Sequence, residues 1–235
     1  MARRPQDPGD EQPTPQCLQR IQSDLAELHA DPPPGVFVSP EENDMTVLHA
    51  IIVGSWGTPL EGGFFHLVLK CPGDYPLRPP RVRFLTGVGK ASFNGHIYGE
   101  SMCLSVLGTA PGPSWNPEMN ISSLLAAIQS FLADGASERM RHNAISIAVC
   151  DTLEACLRES TADSPSMPPA LKKQVLKYYT DNYAKYEDAV KAQIGSPGAL
   201  SWVRNLMIGD YQQLLKRLRD IKKKIDDQNA AAAAE

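Results

Sequence analysis

Apolar and polar positions alternate along this chain in two rhythms. Leu18, Ile21, Leu25 and Leu28 recur at helical spacing. Pro32-Pro33-Pro34 must end that run, because a residue preceding proline avoids helical angles, so the pattern predicts an amphipathic helix over about 16–29. Four stretches rich in β-branched and aromatic residues follow, at 35–38, 45–53, 63–69 and 81–85, separated by Asn43-Asp44, Gly57-Thr58-Pro59 and a proline cluster. They read as strands of an antiparallel meander. Within the third, Phe65, Leu67 and Leu69 alternate with His66, Val68 and Lys70, so one sheet face should be buried more completely and covered by a helix.

Helical patterns dominate the rest. Ile121, Leu124, Leu125, Ile128, Phe131 and Leu132 form an apolar stripe, with Asn120 and Ser122 or Ser123 offering a capping oxygen. A third pattern holds Ile145, Val149, Leu153 and Leu157. A fourth begins after Pro168-Pro169 and carries Leu171, Val175, Tyr178, Tyr179, Tyr183 and Tyr186. A fifth has Leu214, Leu215, Leu218, Ile221 and Ile225. The polar, Pro-rich segment 1–15 lacks an apolar face and reads as a disordered tail. The alanine run at 230–234 is low in complexity and receives no fold.

Composition narrows the class. A chain of 235 residues with 42% hydrophobic content can hold one sizeable core without disulfides or metal. No apolar run approaches the roughly 18 residues that span a bilayer, and the N-terminus does not resemble a secretory signal. The expectation is a soluble protein of the cytoplasm, or of the nucleus, without a membrane partner. Five cysteines, Cys17, Cys71, Cys103, Cys150 and Cys156, form no CxxC pair. Neither a disulfide framework nor a zinc site is indicated, so reduced thiols are expected. A net charge of -4 gives no reason to expect a nucleic-acid partner. The basic stretch 216–224 interleaves with Leu218 and Ile221, as the wet side of an amphipathic helix does.

Candidate chemistry gathers around Cys103, in Tyr98-Gly99-Glu100-Ser101-Met102-Cys103-Leu104-Ser105-Val106-Leu107-Gly108. Upstream stands Cys71-Pro72-Gly73-Asp74-Tyr75-Pro76-Leu77-Arg78-Pro79-Pro80. Downstream stands Trp115-Asn116-Pro117-Glu118. A cysteine among apolar neighbours is ordinarily a small buried hydrophobe. These three segments together resemble the core of the ubiquitin-conjugating enzyme family, over about 16–160. Pro32-Pro33-Pro34-Gly35, Glu61-Gly62-Gly63-Phe64-Phe65, Ala148-Val149-Cys150-Asp151-Thr152-Leu153-Glu154 and the Tyr178-Tyr179 helix are similar to that family's Z-type members.

The resemblance implies an α+β, ubiquitin-conjugating (UBC-like) fold. It consists of an N-terminal helix, a four-stranded antiparallel meander, a nearly strandless cysteine-bearing loop and covering helices. The implied organisation is a disordered tail at 1–15, a conjugating core at 16–160, a helical C-terminal extension at 161–228 and a low-complexity tail at 229–235. It also implies that Cys103 accepts ubiquitin or a ubiquitin-like modifier as a thioester from an activating enzyme and passes it to an amine, usually a lysine of a protein substrate. A thiol suits this task because its thiolate attacks carbonyls well and departs readily. No cofactor, metal or nucleotide is needed on the chain itself.

Members usually carry His-Pro-Asn before the cysteine, whereas this chain reads Phe93-Asn94-Gly95-His96-Ile97. Asn94, Gly95 and His96 then stand where His, Pro and Asn would be, and His96 takes the position of the amide linked with the oxyanion. Alternatively, His96 only braces the loop, or Asn94 turns inward in its place. Ser105 stands where many relatives hold an acidic residue; it is read as a weak site residue, a phosphorylation point or a structural hydroxyl. Nearby acidity would have to come from Glu100 or Glu118. Leu77 matches the apolar knob that ligases grip. Pro117, beside Trp115, matches the second loop of that surface, although Glu118 replaces the usual small residue. Arg20, with Gln19 and Glu27, lies on the helix face that meets the activating enzyme in relatives.

Two further readings stay open. One is a catalytically weak or inactive regulatory module that binds modifier or ligase. The other is a Cys-His hydrolase using Cys103 and His96, which lacks an evident residue to orient the histidine.

Overall fold

The computed structural model describes residues 12–134, 136–137, 140–158, 167–195 and 201–232; of the tail expected at 1–15, residues 1–11 lie outside them and Pro15 already belongs to the first helix. Helix α1 (Pro15–Ala30) starts where local chemistry dictates. The Thr14 hydroxyl accepts from the Cys17 N–H at 3.1 Å, and proline occupies the first turn, where its missing N–H costs nothing. Cys17, Ile21, Leu25 and Leu28 form its buried face, joined by Asp24.

Strands β1 (Val36–Glu41), β2 (Asp44–Val53), β3 (Phe64–Lys70) and β4 (Arg81–Phe84) form one antiparallel sheet in that order. Register pairs Ile52 with Phe65 and Ala50 with Leu67, which sends Leu48, Ala50, Ile52, Phe65, Leu67 and Leu69 to one face. Helix α2 (Ile121–Asp134) packs there beside α1 through Ile121, Leu124, Leu125 and Ile128. The Asn120 side-chain oxygen accepts from the Ser123 N–H at 2.8 Å and caps α2.

The opposite sheet face is buried too. Ile51, Val53 and Phe64 pack against Ile145, Val149, Leu171, Val175, Tyr179 and Tyr186 in a second apolar cluster. The helical residues come from the π-helical stretch (Ala144–Asp151), which joins α3 (Arg141–Asn143) to α4 (Thr152–Leu157), and from α5 (Pro169–Asp181) and α6 (Tyr183–Gly195); Leu153 and Cys156 of α4 join the same cluster. Helix α7 (Ser201–Ala232) closes the layer through Leu214, Leu218, Ile221 and Ile225. Burying a ring such as Phe64 completely contributes about 1.5–3 kcal/mol, so the C-terminal helices are bound to the sheet by a substantial apolar area.

Several elements differ from the sequence expectation. On β3 the expected asymmetry holds for Val68 and Lys70, which are half-buried while Phe65, Leu67 and Leu69 are fully buried, but His66 is only 8% exposed, where the π-helical stretch packs on the strand. One helix read through Tyr186 divides at Asn182, where the backbone leaves helical angles and the side-chain amide donates to the Tyr178 carbonyl at 3.0 Å. The cysteine-bearing loop contains a short hairpin, β5 (Ile97–Tyr98) and β6 (Ser101–Met102). Helix α7 runs on into the alanine run as far as Ala232. Among the described residues, no helix is long and apolar enough to cross a membrane, and no cluster of three or more His, Cys, Asp or Glu is arranged to hold a metal.

Candidate active site

Cys103 directly follows β6, and the β5–β6 hairpin decides where it points. Ile97 pairs with Met102 and Tyr98 with Ser101. Directly opposed residues share a face, and faces alternate along a strand. Ile97 and Met102 are buried, so Tyr98 and Ser101 face outward. The Cys103 N–H donates to the His96 carbonyl at 2.9 Å, which extends the ladder by one step and sets His96 across from Cys103 on the outward side. Burial agrees: His96 is exposed and Cys103 partly so, whereas Cys17, Cys71, Cys150 and Cys156 are all buried and free. Burial pushes the thiols of Cys150 and Cys156 up to about 12, and that of Cys71 higher still, which removes all three as nucleophiles at neutral pH.

The peptide units flanking Cys103 are immobilised. The Cys103 N–H serves His96, and the Leu104 N–H donates to the Thr109 hydroxyl at 2.9 Å. Neither amide is free to meet an oxyanion. Asn94 is not available for that contact. It is fully buried, its amide nitrogen donating to the Phe131 carbonyl at 2.8 Å and its oxygen accepting from the His96 N–H at 2.9 Å. Asn94 is thus placed to brace the turn that carries His96, the inward turn that the sequence reading held open. The imidazole of His96 lies 6.3 Å from the Phe131 ring, centre to centre.

Ser105 opens a 3-10 turn (Ser105–Leu107) that ends on Gly108 at φ 70°. A Cβ on Gly112 would come within 2.9 Å of the Ser105 Cβ, so the following loop lies directly against this residue. Glu100 is committed to Arg83 at 2.6 Å, and Glu118 is exposed.

The four residues expected to contact partners divide into two roles. Leu77 is 69% exposed, and Pro117 is exposed as well. Trp115 and Arg20 lie beneath and hold those loops. Trp115 donates to the Pro76 carbonyl at 2.7 Å. Arg20 donates to the carbonyls of Pro117 at 3.0 Å and Met119 at 2.6 Å, pairs with Asp24 at 2.7 Å and lies over the Tyr75 ring. Asp24, buried, also accepts from the Tyr75 hydroxyl and from the Ile121 N–H. The Arg20 guanidinium, half-buried, thus spends its donors within the chain, on two loop carbonyls and the Asp24 carboxylate. Sequence reading missed Asp24 and Thr109 as members of the site's framework; an acidic residue on an otherwise apolar helix face was the one available signal for Asp24.

The four-stranded sheet with its covering helices presents one partly exposed thiol, Cys103, while the other four cysteines are buried. The chain belongs to the ubiquitin-conjugating enzyme family, transferases that act through a cysteine thioester, and the family model described as ubiquitin-conjugating enzyme matches residues 20–154. It is 36% identical to ubiquitin-conjugating enzyme E2 Z of Danio rerio, across 92% of this chain and 71% of that protein. It is 37% identical to ubiquitin-conjugating enzyme E2 Z of Homo sapiens, across 92% of this chain and 65% of that protein. The structure of human ubiquitin-conjugating enzyme E2 G1 aligns with a TM-score of 0.45 at 29% identity, covering 52% of this chain and 98% of that one.

Proposed function

We propose that Cys103 carries ubiquitin or a ubiquitin-like modifier as a thioester, received from the cysteine of an activating enzyme, and transfers it to a lysine amine of a protein substrate. The observation that carries this reading is the outward placement of Cys103 opposite His96, in a chain whose other cysteines are sealed in the core. In the first step the Cys103 thiolate attacks the donor thioester carbonyl, and the donor's thiolate departs. In the second, the acceptor amine attacks the Cys103 thioester, the carbonyl oxygen becomes negative, Cys103 leaves as thiolate, and the amine sheds its proton. His96 donates a hydrogen bond to that oxygen from across the hairpin, since the Cys103 and Leu104 amides are already engaged. Asn94 positions His96, and Ser105 lines the approach as a neutral hydroxyl.

Leu77 and Pro117 form the ligase-facing surface, stiffened from below by Trp115 and Arg20, which limits the ordering cost of association. Residues 16–160 carry the transfer, and helices α5, α6 and α7 of the extension expected at 161–228 close the far side of the sheet. Five unpaired cysteines fit a reducing compartment, the cytoplasm or nucleus. The test is incubation with activating enzyme, ATP and candidate modifiers, followed by a non-reducing gel. A band that disappears with thiol and is absent in Cys103→Ala supports the proposal. No band with any modifier contradicts it and favours a regulatory binding module.

A further inference from the structure

The loop after Cys103 returns to its own starting point. The 3-10 turn ends on Gly108, whose left-handed backbone reverses the chain, and Thr109 thereby comes back beside the peptides on either side of Cys103. Its hydroxyl lies 2.6 Å from the Met102 carbonyl oxygen and 2.9 Å from the Leu104 N–H, with the Leu104 carbonyl at 3.1 Å. A hydroxyl has one proton to give and lone pairs to receive, so it donates to Met102 and accepts from Leu104. One side chain therefore holds the residue before Cys103 and the residue after it.

We infer that Thr109 is a positioning residue for the transfer reaction: its hydroxyl fixes the backbone of Cys103, and so the direction of the thioester, relative to His96. This rests on the reading of Cys103 as the acyl carrier. Threonine fits the task because branching at Cβ leaves few side-chain rotamers, so the oxygen is held where both partners need it. Thr109 is exposed, and water can replace its hydrogen bonds at small cost to stability. Reaction geometry is less forgiving, since a small displacement of a reacting atom lowers the rate steeply. The residue thus contributes little to folding and much to orientation. By accepting from Leu104 it also keeps that amide from the oxyanion, which leaves the oxyanion to His96.

The test compares Thr109→Val, which keeps the shape and loses the hydroxyl, with Thr109→Ser, which keeps the hydroxyl, both in the full chain. Each is loaded and then discharged in single turnover to free lysine over a range of concentrations. The expected result is a saturating rate lowered about tenfold in the valine variant, with unchanged half-saturation by lysine, unchanged melting temperature and recovery in the serine variant. A valine variant discharging at the parent rate overturns the inference while the carrier reading stands. So does a serine variant as slow as valine. Iodoacetamide alkylation of Cys103 reads the same loop without any partner. Valine raises the alkylation rate and serine restores it; equal rates in all three overturn the inference, even if the parent chain forms no thioester.

Discussion

The Tyr186 hydroxyl donates to the carbonyl oxygen of Gly62 at 2.8 Å, tying helix α6 to the turn that leads into β3. Gly62 has φ +70°, and a Cβ there would lie 2.5 Å from Tyr186 Cε1. Both the backbone angle and the ring demand glycine. Gly62→Ala is expected to destabilise the protein by about 2–4 kcal/mol through left-handed strain and overpacking. Tyr186→Phe, which leaves the carbonyl without its donor, should cost about 1–2 kcal/mol. Urea unfolding followed by circular dichroism checks both.

A second expectation concerns acid. His66 Nε2 lies 3.0 Å from His49 Nδ1, and His49 Nε2 lies 2.7 Å from Glu41, so the three form a chain across the sheet. Burial, with a smaller contribution from His49, lowers the His66 pKa to about 4. The unfolded chain binds this proton below about pH 6.5 and the folded one only below about 4, so stability present above pH 6.5 is lost as pH falls across that window, by up to about 1.4 kcal/mol per unit. Melting temperatures measured between pH 7 and 4 should fall for the parent and fall less for His66→Gln.

Acid acts differently on the clasp of α7. Arg217 pairs with Asp151 at 2.8 Å and Glu154 at 2.7 Å, and Lys90 reaches the other Asp151 oxygen at 3.0 Å. The Arg217 hydrogen bond holds the Glu154 carboxyl below its ordinary value. Burial pulls Asp151 upward, but its bonds to Arg217 and Lys90 more than reverse this. Both carboxylates therefore stabilise the fold above about pH 4.5, and that contribution is lost as pH falls through their folded values. Arg217→Gln should cost about 1 kcal/mol at neutral pH, a figure already reduced for solvent screening, and the difference from the parent should shrink below pH 4 in thermal melts.

At the site, His96→Ala should load normally and discharge to free amine about 10²-fold more slowly, with His96→Asn recovering most of the rate because an amide also donates a hydrogen bond. Single-turnover discharge measures it. An alanine variant matching the parent would reduce His96 to a loop brace.

The strands and helices were legible because periodic burial writes itself into residue spacing, as in Phe65-Leu67-Leu69 and Ile121-Leu124-Leu125-Ile128. The hairpin of Ile97–Tyr98 and Ser101–Met102 was not, since two-residue strands are too short to show a period. The bonds from Arg20 to Pro117 and Met119, and from Asn94 to Phe131, join residues far apart in sequence, and a side chain's inward turn toward a distant carbonyl leaves no local trace. The motif pointed to the segment; only the burial of Asn94 and its bond to the distant Phe131 carbonyl separate it from His96, which faces outward.

The most direct measurement is peptide mapping by mass spectrometry of the thiol-labile adduct formed with activating enzyme, ATP and modifier. The account predicts acylation of Cys103 with the other four cysteines unmodified. An adduct on any of those four in its place would contradict it.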